Sequence, residues 1–158
     1  MAAIYRRNAG IVVFNRHGQV LLCKRNDVAD SWQFPQGGIE EGESVAAAAL
    51  RELKEETSLT DVVLVKSLET PARYTFPPQI IAKMQQRGFN NVGQDIYWSL
   101  VYFDGDDSAI NLQTAEPEFE AYQWSDLATA CRLIIDFKKE AYEKAREEFA
   151  QLIADYRP

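Results

Sequence analysis

Within the run Arg51 to Leu59, RELKEETSL, three glutamates fall at positions 52, 55 and 56. In a helix, residues related by i, i+3 and i+4 lie on one face at about 100° per residue, so Glu52, Glu55 and Glu56 would share a face. Like charges so placed repel, and the arrangement costs helix stability unless a cation neutralises it. Hard divalent ions such as Mg²⁺ take oxygen ligands and commonly join one or two carboxylates to substrate phosphates. Taken alone, the same glutamates read equally well as the solvated face of a surface helix. Ahead of them, Trp32-Gln33-Phe34-Pro35-Gln36-Gly37-Gly38-Ile39 sets adjacent glycines where the backbone can turn and bring carbonyls or amides close to a ligand. The glycine pair and the acidic face together favour a metal-assisted phosphate site.

Gly37, Glu43, Arg51, Glu52, Leu53, Glu55, Glu56 and Leu59 match the pattern Gx5Ex7REUxEExGU, with U apolar, and by these residues the chain resembles the Nudix hydrolases. Ser58 departs from the pattern, which has glycine there. That glycine ends the helix in a left-handed conformation, so serine costs about 1 kcal/mol locally or brings a different cap. Tyr5-Arg6-Arg7-Asn8-Ala9-Gly10-Ile11-Val12, the WQFPQGGI segment and Pro117-Glu118-Phe119 are similar to the branch of bacterial RNA pyrophosphohydrolases and dinucleoside polyphosphate hydrolases, over residues from about 5 to 150.

The resemblance implies an α/β fold, a mixed β-sheet sandwiched between α-helices, with the box as a loop-helix-loop inside a single domain over residues 1–158. It implies Mg²⁺ as cofactor, with Mn²⁺ able to substitute. The metal ligands would be Glu52, Glu55 and Glu56, with a backbone carbonyl near Gly37 or Gly38. Glu118 would be a further carboxylate that binds metal or acts as base. These glutamates form the catalytic set, and which of them deprotonates water stays open. Arg51 and Glu43 read as an architectural ion pair, Arg51 standing about 100° from Glu52 and so apart from the cluster.

For the substrate, the resemblance places Arg6 on terminal phosphates, where a guanidinium fork fits. It places Arg25, Tyr74, Gln94, Phe137 and Lys138 along the nucleotide site, where an arginine and an aromatic ring can sandwich a base. Phe137 reads equally well as core, and Arg25 and Lys138 as solvated charges. The expected reaction is attack of water on phosphorus at a nucleoside 5′-polyphosphate end: triphosphorylated RNA losing pyrophosphate, a diadenosine polyphosphate being cleaved, or both. The alternative is a non-catalytic Nudix domain that binds nucleotide or RNA, against which the complete set of box carboxylates weighs. Isoprenoid diphosphate isomerisation is disfavoured, since Cys23 and Cys131 lie outside the box.

The elements that must position these groups are partly legible. Gly10–Phe14 and Val20–Cys23 read as strands of a hairpin turning at Asn15, Arg16, His17 and Gly18, with His17 a surface residue. Val62–Leu68 and Ile96–Phe103 read as further strands, and Tyr122–Trp124 as a short one. A helix is expected from about Ser44, its N-cap, to Thr57, held to a sheet by Ala46, Ala49, Leu50 and Leu53. A second, from about Ile135 to Tyr156, carries Phe137, Ala141, Ala145, Phe149, Leu152 and Ile153 at helical spacing. Pro71 to Gly93 reads as a long irregular, substrate-binding loop.

A chain of 158 residues, 46% hydrophobic and 26% charged, suits one soluble globular domain. A net charge of −7 disfavours coating of nucleic acid through a broad basic face. It is compatible with polyanion binding when divalent cations stand between carboxylates and phosphates. With Cys23 and Cys131 far apart, neither a zinc site nor a disulfide framework is suggested. No apolar run spans a bilayer. The expectation is a cytoplasmic protein whose partner is its nucleotide or RNA 5′-end substrate, with no membrane and no stable protein partner.

Overall fold

Alternation along the first strand decides the architecture. In β1 (Ile4–Phe14), Ala9, Ile11 and Val13 enter one apolar cluster while Val12 and Phe14 enter another, as the period of two requires of a strand buried on both faces. The computed structural model describes residues 3–158. After β1 come β2 (Val20–Arg25), β3 (Trp32–Gln33), β4 (Gln36–Gly38), α1 (Val45–Thr57), β5 (Val63–Ser67), β6 (Ala72–Thr75), α2 (Pro78–Gln86), β7 (Asn91–Tyr102), β8 (Phe119–Ser125), α3 (Leu127–Leu133) and α4 (Lys139–Asp155).

The sheet is mixed. Its main path runs β3-β2-β1-β7-β5, with β4 pairing β1, β6 pairing β7 and β8 pairing β2. At its centre β1 and β7 lie parallel from Ile4 opposite Asn91 to Phe14 opposite Tyr102. One face is covered by α1 through Ala48, Ala49 and Leu53; the other by α3 and α4 through Ala130, Cys131, Ala141, Tyr142, Ala145 and Phe149. The expected sandwich of helices about a mixed sheet is what forms. Among the described residues no helix is long and apolar enough to cross a membrane. Cys23 and Cys131 are free and buried, and burial pushes the Cys131 thiol up to about 12.

Three local expectations need correction. Pro71 to Gly93 is not an irregular loop: Ala72, Tyr74 and Phe76 are buried alternately along and just beyond β6, and α2 follows. Pro77 and Pro78, which suggested a loop, open the helix instead, because the first helical position needs no N–H partner. The C-terminal helix begins at Lys139 rather than near Ile135. Ile135 is extended, and a 3-10 turn over Asp136–Lys138 carries Phe137 and buries Lys138. On α1, Leu50 is 37% exposed and Ala48 takes its place against the sheet.

Candidate active site

Ser44 caps α1 by accepting from the Ala47 amide at 3.1 Å. Just before it, Glu43 accepts from the Glu40 amide at 3.0 Å and from Arg51 Nε and Nη2 at 2.7 and 2.9 Å. The Arg51 guanidinium, hydrogen-bonded to Glu43, holds that carboxyl down to about 2. Arg51 Nη2 also donates to the Gly38 carbonyl at 2.8 Å, so the brace ties strand, loop and helix at one point. Arg51 does not stand apart from the acid cluster, however. Its Nη1 donates to Glu52 at 2.8 Å and to Glu55 at 3.2 Å. The Cα offset of about 100° is real, but a long guanidinium arm spans it and reaches the carboxylate one turn on.

The glutamates differ in setting. Glu55 is exposed, Glu52 is half-buried against Gly37, and Glu56 is buried, its Oε2 without a hydrogen-bond partner. A side chain at position 37 would occupy the space of the Glu52 carboxylate, so the close approach requires glycine. Burial, then the charges of Glu118 and Glu52, pushes the Glu56 carboxyl up to about 10. Burial also raises Glu52, against the pull of Arg51. Glu118 is exposed and enters on the loop before β8. Asn26 fastens that loop: its amide donates to the Glu118 carbonyl at 3.0 Å and its Nδ2 to the Pro117 carbonyl at 2.7 Å.

A second cluster, joined to β4 through Gln36, gathers most of the remaining residues. Tyr74 on β6 stands opposite Gln94 on β7 and donates its hydroxyl to the Gln94 side-chain oxygen, which also accepts from Gln36 Nε2 at 3.1 Å. The Phe137 ring lies 5.8 Å from Tyr74, half-buried and packed against the core. Lys138 Nζ lies 5.5 Å over the Tyr74 ring. Burial, then the Arg25 charge, lowers Lys138 to about 8. Arg25 is paired with Asp27 at 2.6 Å, and the Arg6 guanidinium lies over Gly38. Lys138 is thus buried rather than solvated, while Phe137 stands at the edge of the core beside Tyr74. His17 is exposed in the hairpin turn, away from both regions. Gln36, Asn26 and Asp27 were not among the expected residues. Gln36, beside the glycine pair in FPQGG, carried the one usable signal.

Comparison with known proteins gives the family. The NUDIX domain matches residues 4–151. The chain belongs to the NUDIX family. It is 39% identical over 152 residues to an RNA pyrophosphohydrolase of Acidiphilium cryptum, spanning 93% of this chain and 91% of that one. It is 40% identical over 156 residues to an RNA pyrophosphohydrolase of Vibrio atlanticus, spanning 97% and 89%. Among solved structures, the E. coli dihydroneopterin triphosphate pyrophosphohydrolase aligns with a TM-score of 0.66 at 22% identity over 89% of this chain and 96% of that one. A C. elegans Ap4A hydrolase aligns at 0.63 and 18% over 94% and 99%. These two likenesses show the fold. The chain is a Nudix hydrolase, and enzymes of this family generally use divalent metal ions.

The residues present fit such an ion. Among the described residues no three carboxylate, thiol or imidazole groups converge as a closed cage, because Arg51 holds Glu52 and Glu55. Yet the unpartnered buried oxygen of Glu56, with Glu52 and Glu118 close enough to repel it, is an all-oxygen donor set short of positive charge. The Gly38 carbonyl accepts from Arg51, and Gly37 stands opposite Ala9 in the ladder with β1.

Proposed function

We propose that this single domain hydrolyses nucleoside 5′-polyphosphate ends, removing pyrophosphate from triphosphorylated RNA and also cleaving diadenosine polyphosphates. The supporting observation is the unpartnered, negatively crowded Glu56 carboxyl beside Glu52 and Glu118, together with a cluster of a buried lysine and two aromatic rings that joins β4 through Gln36. The names of the curated relatives point to the same substrate class. Glu52, Glu55, Glu56 and Glu118, with the backbone of Gly37, would hold Mg²⁺, which Mn²⁺ can replace. Such an ion lowers the pKa of bound water and offsets phosphate charge.

The rest is done by side chains. Lys138, free of any carboxylate within ion-pairing distance among the described residues, attracts the polyphosphate. Arg6, exposed beside Gly38, grips its end. Arg25 and Phe137 take a base between guanidinium and ring, and Tyr74 with Gln94 and Gln36 forms the polar floor. Glu118, the exposed acid, joins the ion or takes the proton of the attacking water. The chain works in the cytoplasm on its nucleotide or RNA end without a membrane or a stable protein partner.

The test is a substrate panel with Mg²⁺, comparing triphosphorylated RNA, diadenosine tetraphosphate and nucleotide sugars by product analysis. Pyrophosphate from RNA, or ATP from the dinucleotide, is expected. Preferential cleavage of nucleotide sugars would move the chain to another branch of the family, and binding without turnover would make it a nucleotide sensor.

A further inference from the structure

Asp27 is an unassigned charge that pairs with Arg25 and acts on Lys138. It follows β2 by two residues, in the segment that closes when the Arg25 amide donates to the Ser31 carbonyl at 2.9 Å. Its carboxylate takes both edge donors of Arg25, Nε at 2.8 Å and Nη2 at 2.6 Å. That is the fork-on-fork geometry by which an arginine otherwise takes a phosphate. The segment is fixed at its root, since Asn26, between the two charges, is hydrogen-bonded to the Pro117 and Glu118 carbonyls. The surroundings are basic: Arg25 and Arg87 both act on the Asp27 carboxyl and hold it below its ordinary value, Arg25 first.

We propose that Asp27 is a specificity-determining residue, which by pairing one edge of Arg25 offsets its charge and sets its plane, so that the guanidinium favours the face of a base over phosphate. The inference rests on the reading of Arg25 and Phe137 as a base clamp. A guanidinium can bind an anion through its edge or an aromatic ring through its face. With Nε and one N–H of Nη2 committed, the faces and the end-on donors of Nη1 and Nη2 remain, but the carboxylate offsets the charge and sets the plane before any ligand arrives. The neutralised Arg25 then adds little pull on polyphosphate, and that work falls to Lys138, which feels the Asp27 charge but has no carboxylate within ion-pairing distance among the described residues. Recognition is thereby divided: one cation reads charge, the other reads the flat face of a base. An exposed ion pair contributes little to stability, so removing Asp27 changes ligand choice rather than folding.

Binding of diadenosine tetraphosphate and of inorganic tetraphosphate, measured by calorimetry in EDTA so that neither is cleaved, separates the terms. The wild-type chain prefers the base-bearing ligand. Asp27→Ala is expected to narrow that preference by about tenfold, the scale of one stacking contact, weakening the dinucleotide and tightening inorganic tetraphosphate. Asp27→Asn falls between. Arg25→Ala narrows the preference without tightening inorganic tetraphosphate. A preference kept by Asp27→Ala but lost by Arg25→Ala overturns the role of Asp27 and leaves the clamp standing. A preference kept by both, or absent from the wild type, overturns the clamp as well.

Discussion

Glu56 and Lys138 are both buried charges of the site, and each carries a separate prediction. Replacing Glu56 by glutamine keeps its shape, removes the cost of burying an acid beside Glu52 and Glu118, and gives an amide able to donate to Glu118. In EDTA, Glu56→Gln should melt about 2–4 °C higher, the shift that ~1 kcal/mol makes in a domain of this size. With Mg²⁺ it should lose at least about 10²-fold in kcat, the scale of one lost electrostatic stabiliser. Melting and turnover moving in the same direction would sink the metal-ligand assignment. Lys138 is lowered from 10.5 to about 8, so between those pH values the unfolded chain binds more protons than the folded one. Stability from this group therefore rises with pH across that window, against the Arg25, Asp27 and Tyr74 groups around it. Polyphosphate affinity runs the other way, falling above about pH 8 as the ammonium is lost. Lys138→Met should abolish both slopes, read by melting and by calorimetry at pH 7, 8, 9 and 10.

The end of α1 shows what one element does with an unusual residue. Ser58 stands at φ 70° and ψ 4°, where the family pattern has glycine, and its amide still donates to the Lys54 carbonyl. The left-handed backbone costs a non-glycine residue about 1 kcal/mol, but the hydroxyl returns a hydrogen bond to the Asn111 carbonyl at 2.8 Å. Ser58→Gly should therefore stay within about 0.5 kcal/mol of the wild type, while Ser58→Ala, keeping the strain and losing the bond, should cost about 1 kcal/mol by urea unfolding. Helix α1 was readable in sequence because cap, apolar stripe and acid face agree in period. α3 escaped: its cap, Asp126 accepting from Thr129, is ordinary, but seven residues are too few for a periodic signal. The polar cluster escaped in part because Tyr74, Gln94 and Gln36 meet only through the pairing of β6 with β7 and the position of β4. Position in the chain carries no such register. Asp27 escaped for a plainer reason: an acid two residues after an arginine is common on surfaces, and only the fork geometry singles it out.

At the scale of the molecule, the box is held from a distance. Phe34, three residues before Gly37, stacks on Tyr142 of α4 at 4.9 Å and 8°, and its amide donates to the Tyr142 hydroxyl at 3.0 Å. Trp98 of β7 meets both rings edge-on and donates Nε1 to the Ala141 carbonyl at 3.0 Å. Tyr142→Phe keeps the stack but leaves a buried N–H without its acceptor, which should cost about 1–3 kcal/mol by chemical denaturation. An unchanged midpoint would show that Phe34 is held by stacking alone. The fastening also orders events in time. During synthesis the whole box has been translated by Leu59, but the strand that brings Gly37 to Glu52 is pinned by a ring that emerges more than eighty residues later. A chain halted between Phe119 and Tyr142 would carry Glu52, Glu55, Glu56 and Glu118 but lack the ring that holds Phe34, and is expected to stay inert until the C-terminal helix is complete.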